Sequence, residues 1–367
     1  MTFRQNSGQT KQRMLIFTGI LCGLALAVVS ACAKAPSGRM ELALGTTCRV
    51  NLYEYGNQKL YSQIFKRIRE IDQTMSAREG IFSHQLSNLM LINKNAGIAP
   101  VNIPNDLFEV LEKAVFYAEL SGGAFDPTVG PLVNLWGIGT DNQKIPDKRE
   151  IEHALTLLGW RDIILDKEKG TAFLKRPGME LDLGAIAKGY AADEAAGIAR
   201  KAEAAHAIID LGGNITALGG RVGKNGETAA SPWRIGIQNP LGERGSYIGV
   251  LLISEKSVVT SGVYERYFEY NGKKYHHILS TEDGYPVDNS LLSVTIVADR
   301  SIDADGLSTA VFALGFDRGM ALLEKIPETE AIFIFDDRSV YATAGLNGIF
   351  TLSNDEYHYA ASRLICP

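Results

Sequence analysis

Leu181-Asp182-Leu183-Gly184-Ala185-Ile186-Ala187-Lys188-Gly189-Tyr190 is the stretch from which the fold is read. Its alternation predicts a short strand over 179–183 that delivers Asp182. Gly184 then turns the chain into an Ala-rich helix expected over 185–205. The first turn of a helix carries unpaired N–H groups and the positive end of the macrodipole, so it favours an anion. Lys188 adds a full positive charge one turn in, where a helix without an anion prefers acids. An anion site therefore accounts for Lys188 better than a solvated surface lysine does, although the Walker spacing is missing.

Outward from this block the chain alternates irregularly. Arg39 to Tyr53 predicts opening strands. Lys59 to Met75 (Leu60, Ile64, Ile68, Ile71) and Pro104 to Leu120 (Leu107, Val110, Leu111, Ala114) repeat at helical spacing. Strands are expected at His206 to Leu211, Trp233 to Ile237, Ile248 to Ile253 and Ser293 to Ala298, and helices at Asp303 to Gly315 and Met320 to Ile326. The fold class is mixed α/β (α+β), with strands meandering in the later half. The lack of regular βαβ alternation argues against a simple Rossmann sheet.

Three further segments gather Gly, Asp and hydroxyls at element ends. In Ser121-Gly122-Gly123-Ala124-Phe125-Asp126-Pro127-Thr128 paired glycines let a backbone approach a ligand; the same letters equally spell a helix stop and a turn. Tyr275-His276-His277-Ile278-Leu279 precedes a Gly284-Tyr285-Pro286 turn. Adjacent strand residues point to opposite faces, so at most one of these histidines faces a given cleft, where it suits general-base work near neutral pH. In Asp303-Ala304-Asp305-Gly306-Leu307-Ser308-Thr309-Ala310, Asp305 and Thr309 share a helix face, and a carboxylate with a hydroxyl suits a hard cation such as magnesium. The alternative is a dipole contact at the helix start, with Thr309 facing the core.

These blocks, together with Asp210-Leu211-Gly212-Gly213-Asn214 and Thr260-Ser261-Gly262, resemble in order and spacing the signature blocks of the ApbE family, FAD:protein FMN transferases. The resemblance runs from Gly45 to the end of the chain. It implies a two-lobed, T-fold-like body with FAD in the groove between lobes. It also implies transfer of FMN from FAD to a threonine or serine of a partner protein, with release of AMP. Carried over residue by residue, Ala124, Phe125, Asp126, Asp182, Lys188 and Leu279 would contact the flavin nucleotide. The carbonyl of Ala185 with the side chains of Asp305 and Thr309 would bind Mg2+, and His277 is the candidate proton acceptor. The chain departs from the family pattern at Leu44-Gly45-Thr46, at Ser280-Thr281 and over 78–93. FAD hydrolysis to FMN and AMP, or flavin binding without catalysis, are the competing readings.

The N-terminus points to an address. Arg4, Lys11 and Arg13 precede an apolar run from Met14 to Val29, and Val29-Ser30-Ala31-Cys32 follows. The run is short of the ~20 residues of a membrane span and reads as a secretory signal over 1–31. Cys32 is then the expected lipidation site, 32–38 a tether, and 39–367 the transferase-like body, on the periplasmic or extracytoplasmic side of a membrane. Loss of those three basic residues takes the formal charge from −5 to −8. An acidic surface without a basic tract argues against nucleic acid as a partner. The expected partners are extracytoplasmic proteins with an acceptor Thr or Ser, and the membrane through the lipid. Cys48 and Cys366 leave a disulfide open but not deducible.

Overall fold

The computed structural model describes residues 38–78, 86–221 and 231–360. The signal, Cys32, all of the tether but Gly38, and Cys366 lie outside these residues. The described residues form one compact unit. No helix among the described residues is long and apolar enough to cross a membrane.

Helix Gln58–Met75 forms where the periodicity predicts. Asn57 caps it by accepting from the Leu60 N–H (3.0 Å). It buries Leu60, Ile64, Phe65, Ile68 and Ile71, each contributing about 1.5–3 kcal/mol of transfer free energy. Helix Asn105–Leu120 likewise buries Leu107, Val110, Leu111 and Ala114. Helices Ala187–Lys201 and Ser301–Leu314 complete the main helical layer.

That layer covers one face of a sheet of nine strands among the described residues. Its order is Arg39–Ala43, Thr46–Leu52, Ala207–Leu211, Asn214–Leu218, Lys256–Gly262, Leu291–Ala298, Glu330–Phe335, Ser339–Ala342 and His358–Tyr359. All neighbours pair antiparallel except the last two. A three-stranded sheet of Trp233–Gln238, Tyr247–Ile253 and Phe350–Leu352 covers the other face. The period of two shows in Glu330–Phe335: Ala331, Phe333 and Phe335 enter the helix-side core, Ile332 and Ile334 the opposite one. A strand covered on both sides reads as an unbroken apolar run. A third, smaller cluster gathers Leu132, Trp136, Ile151 and Leu279 beside the hairpin Tyr267–Tyr270/Lys273–His276. The groove lies between this cluster and the helix-side core.

The expected strand over 179–183 is not one. Glu180 makes a single parallel bridge to Val129. Leu181 instead exchanges hydrogen bonds with the side chain of Asn93 (2.8 and 3.0 Å), and the Asp182 N–H donates to the Pro127 carbonyl (2.9 Å). The segment is extended because a side chain and a loop satisfy it, with no neighbouring strand to make a ladder. The following helix starts at Ala187, two residues later than expected, because Gly184 to Ile186 form a turn.

Two helices touch without side chains between them. A Cβ at Gly189 would lie 2.3 Å from the Ser301 carbonyl oxygen and 2.6 Å from the Ile302 Cα. Both are backbone atoms and cannot step aside. Asp193, one turn on, accepts from the Ser301 and Ile302 N–H groups (2.7 and 3.1 Å), capping the second helix from the first. Gly189→Ala is therefore expected to destabilise the fold by about 1–3 kcal/mol, outweighing the ~1 kcal/mol that alanine gains in a helix interior. On the same helix Gly197→Ala meets nothing within 4 Å and should be neutral or stabilising. Denaturant midpoints of the two variants measure the difference.

Candidate active site

The groove opens into a cavity of about 420 Å³, within the range of small-molecule sites. Every residue singled out from the sequence blocks lines it: Ala124, Phe125, Asp126, Asp182, Ala185, Lys188, His277, Leu279, Asp305 and Thr309. Residues spread over almost two hundred positions thus face one volume.

One wall is apolar. Phe125, Val129, Val133, Trp136, Ile138 and Leu279 form it. The Trp136 indole is fixed by donating to the Gly284 carbonyl (2.8 Å). Gly284 has φ +77°, and a Cβ there would stand 2.4 Å from Ile151 Cγ2, so only glycine makes that turn. Gly122 and Gly123 adopt φ +65° and +94° after the 105–120 helix, carrying the chain round to Asp126. Asp126 braces its own loop: Oδ1 accepts from the Thr128 N–H (2.8 Å) and hydroxyl (2.6 Å), and Oδ2 from the Trp160 N–H (3.2 Å). Burial raises its carboxyl above the usual range, against the pull of those donors.

The opposite end is polar. Asp305, 3 % exposed, accepts from the Gly189 N–H (2.9 Å), and its other oxygen lies 3.7 Å from Lys188 Nζ. The first turn of the 187–201 helix is thus not wholly free, since Asp305 takes one of its N–H groups. Lys188 Nζ also donates to the Gly184 carbonyl (2.8 Å), and Asp182 Oδ1 accepts from the Gly184 N–H (2.7 Å). Ser261 Oγ lies 2.9 Å from Ser308 Oγ and 3.3 Å from Thr309 Oγ1.

Among the described residues no three His, Cys, Asp or Glu side chains cluster as a metal site. A cation here would rest on the Asp305 carboxylate, the Thr309 hydroxyl and the Ala185 carbonyl. That set of hard oxygens fits magnesium, which keeps waters and takes further oxygens from substrate phosphates. A softer metal would lack its nitrogen or sulfur ligands.

The two histidines separate as the pleat demands. The strand ends at His276, which packs edge-on to Phe312 (5.8 Å), with Nε2 2.9 Å from the Val287 carbonyl. His277 faces the cavity. The Arg266 carbonyl accepts from its backbone N–H (3.1 Å) and lies 3.2 Å from Nδ1. A carbonyl only accepts, so Nδ1 carries the proton and Nε2 keeps a lone pair. Burial, then the positive charge of Arg266, pushes the imidazole down to about 3 in the ligand-free protein, far below the near-neutral value expected from sequence. The unfolded chain takes up this proton below about pH 6.5, whereas the folded one waits until about pH 3. Stability should therefore fall through that window, and His277→Gln should flatten its share of the slope in urea midpoints measured against pH.

Other residues at the site lie outside these sequence blocks. Arg244, Glu265 and Arg266 line the cavity, and burial raises the Glu265 carboxyl against the pull of Arg244, Lys188 and Arg266. Thr281, one of the departures from the family pattern, donates to the Gly123 carbonyl (2.8 Å) and ties two cavity loops together. Arg78 reaches the lining from the poorly matching stretch, of which 79–85 lie outside the described residues.

Comparison with known proteins agrees with this geometry. The family model described as "ApbE family" matches residues 44–333. A FAD:protein FMN transferase of Treponema pallidum is 39 % identical over 343 residues, 91 % of this chain and 94 % of its own. One from Klebsiella pneumoniae is 37 % identical, over 81 % and 88 %. Among solved structures, the ApbE protein of Thermotoga maritima superposes with a TM-score of 0.75 at 30 % identity, covering 85 % of this chain and 98 % of that one. The flavin transferase ApbE of Vibrio cholerae does so at 0.74 and 26 %, covering 85 % and 98 %. With its motifs gathered round one groove and the match spanning most of its length, this chain belongs to the ApbE family.

Proposed function

We propose that this enzyme is an FAD:protein FMN transferase, moving FMN from FAD to a threonine or serine hydroxyl of a target protein and releasing AMP. The observation that carries the reading is the shared cavity, with an apolar wall at one end and Lys188, Asp305 and Thr309 at the other. A flat ring joined to a pyrophosphate has those two needs.

Phosphoryl-type transfer asks the protein mainly for positioning and charge neutralisation. The acceptor hydroxyl oxygen bonds to the riboflavin-side phosphorus, the bond from that phosphorus to the bridging oxygen breaks, and AMP leaves with the bridge oxygen. The hydroxyl proton goes to Nε2 of His277. Lys188 offsets negative charge on the pyrophosphate, and the apolar wall holds the ring system out of water. Ala185, Asp305 and Thr309 would hold a magnesium ion, which supplies further charge neutralisation and Lewis acidity. A bound pyrophosphate also counters the positive charge that depresses His277, raising its proton affinity where the reaction needs it.

The N-terminal segment completes the proposal. Residues 1–31 direct export, Cys32 carries lipid, and the body works at an extracytoplasmic membrane face on proteins exported to the same side.

The test incubates the full-length protein with FAD, magnesium and a peptide bearing Asp-Gly-x-Ser/Thr-Gly-Ala-Thr. Intact mass of the peptide is read alongside AMP and FMN. A peptide gaining esterified FMN with matching AMP supports transfer. AMP with free FMN and no label would make hydrolysis the activity, and FAD bound without AMP would leave a flavin binder.

A further inference from the structure

One residue of the cavity lining carries a buried donor that no other protein atom satisfies. Asn214 opens the strand Asn214–Leu218, directly after the Gly212-Gly213 turn. It is 2 % exposed, lines the cavity, and its side-chain Nδ2 has no hydrogen-bond partner. An unpaired amide in such a place costs free energy unless something arrives to satisfy it.

The surroundings hold the amide in place. Asp210 Oδ1 accepts from the Gly213 N–H (2.9 Å), closing the turn. Gly212 has φ +68°, and a Cβ there would lie 2.2 Å from Thr46 Oγ1, so the turn is pressed against the neighbouring strand. Lys256–Val258 pairs with Ile215–Ala217, and the same strand continues to Ser261, which meets Ser308 and Thr309. Asn214 therefore stands at the sheet end that also carries the hydroxyls of the polar end of the cavity.

We infer that Asn214 is a substrate-binding residue, its carboxamide N–H donating to an oxygen of the bound flavin nucleotide. This rests on the proposed reading of the site as an FAD site and adds a contact to it. The donor is neutral and sits at the start of a strand paired on both edges, so it selects by position of the acceptor atom, unlike Lys188, which attracts charge from any direction.

The experiment uses the full-length protein, with FAD binding followed by calorimetry and thermal unfolding recorded with and without FAD. Two variants are compared with the natural protein: Asn214→Leu, which keeps the branched shape, and Asn214→Ala. Because the donor has no partner in the ligand-free fold, both variants should unfold at the same temperature as the natural protein, or higher, without FAD. Both should bind FAD about tenfold more weakly or worse, and the thermal shift caused by FAD should shrink accordingly. An unchanged FAD Kd in either folded variant overturns the inference. So does a large fall in ligand-free stability with no change in affinity, since that marks a purely structural amide. Failure of the natural protein to bind FAD would overturn both this inference and the reading it rests on, whereas tight natural binding with indifferent variants sinks only the inference.

Discussion

Asp305→Ala is expected to lose more than ~100-fold of the magnesium-dependent release of AMP from FAD, since disturbing even an outer partner of a metal ligand costs up to that factor. The substitution does two things at once. It removes the only carboxylate of the proposed cation set, and it strips the Gly189 N–H of its acceptor inside the helix pair, at a cost of about 1–3 kcal/mol. A fall in activity alone would not say which mattered. Asp305→Asn separates them, because its amide oxygen still accepts from Gly189 while the negative charge is gone. The asparagine variant should melt close to the natural protein and remain inactive at any magnesium concentration. If it turns over normally with magnesium, the carboxylate is not a metal ligand.

His277→Ala carries the second large effect. Proton acceptance from a positioned base contributes about 10²–10⁴-fold, so transfer should fall by that range while FAD binding changes little. Full retention of the transfer rate would remove His277 from the mechanism. The pH profile adds a second readout. In the ligand-free protein the imidazole stays neutral down to about pH 3, with its Nδ1 proton held towards the Arg266 carbonyl. A bound anionic pyrophosphate favours the protonated form, so the acidic limb of kcat should lie at higher pH than the His277 titration in the free enzyme.

Much of this was legible before the structure. The 58–75 and 105–120 helices announce themselves because a face repeating at 3.6 residues has few alternatives. The Asp182–Tyr190 block could be placed at the start of a helix from its glycines and acids, whereas Ala304–Ala310, expected at an element end, lies inside the helix Ser301–Leu314. The strand expected over 179–183 fails because apolar alternation reports burial of alternate side chains and does not say whether a neighbouring strand exists. The depressed His277 was out of reach for a related reason. Its shift comes from burial and from Arg266, eleven residues away on the other side of a hairpin. Asn214 was visible only as one letter of a glycine turn. That its amide is buried and unpaired is a property of the assembled wall. Cys48 is a further case: the fold buries it and pushes its thiol up to about 12, making it a poor nucleophile.

The backbone contact at Gly189 divides the site into a floor and a roof of unequal freedom. The lysine and the aspartate of the polar end ride on two helices that meet backbone to backbone, capped one by the other through Asp193. The roof over them consists of loops, and the side-chain bond from Thr281 to the Gly123 carbonyl is what joins two of these. Divergence in what such enzymes accept therefore has an open route through the roof, where a single hydroxyl is exchanged cheaply. The floor offers no such cheap route, because its lysine and aspartate are placed by main-chain atoms of Gly184 and Gly189, which an exchange of neighbouring side chains leaves in place.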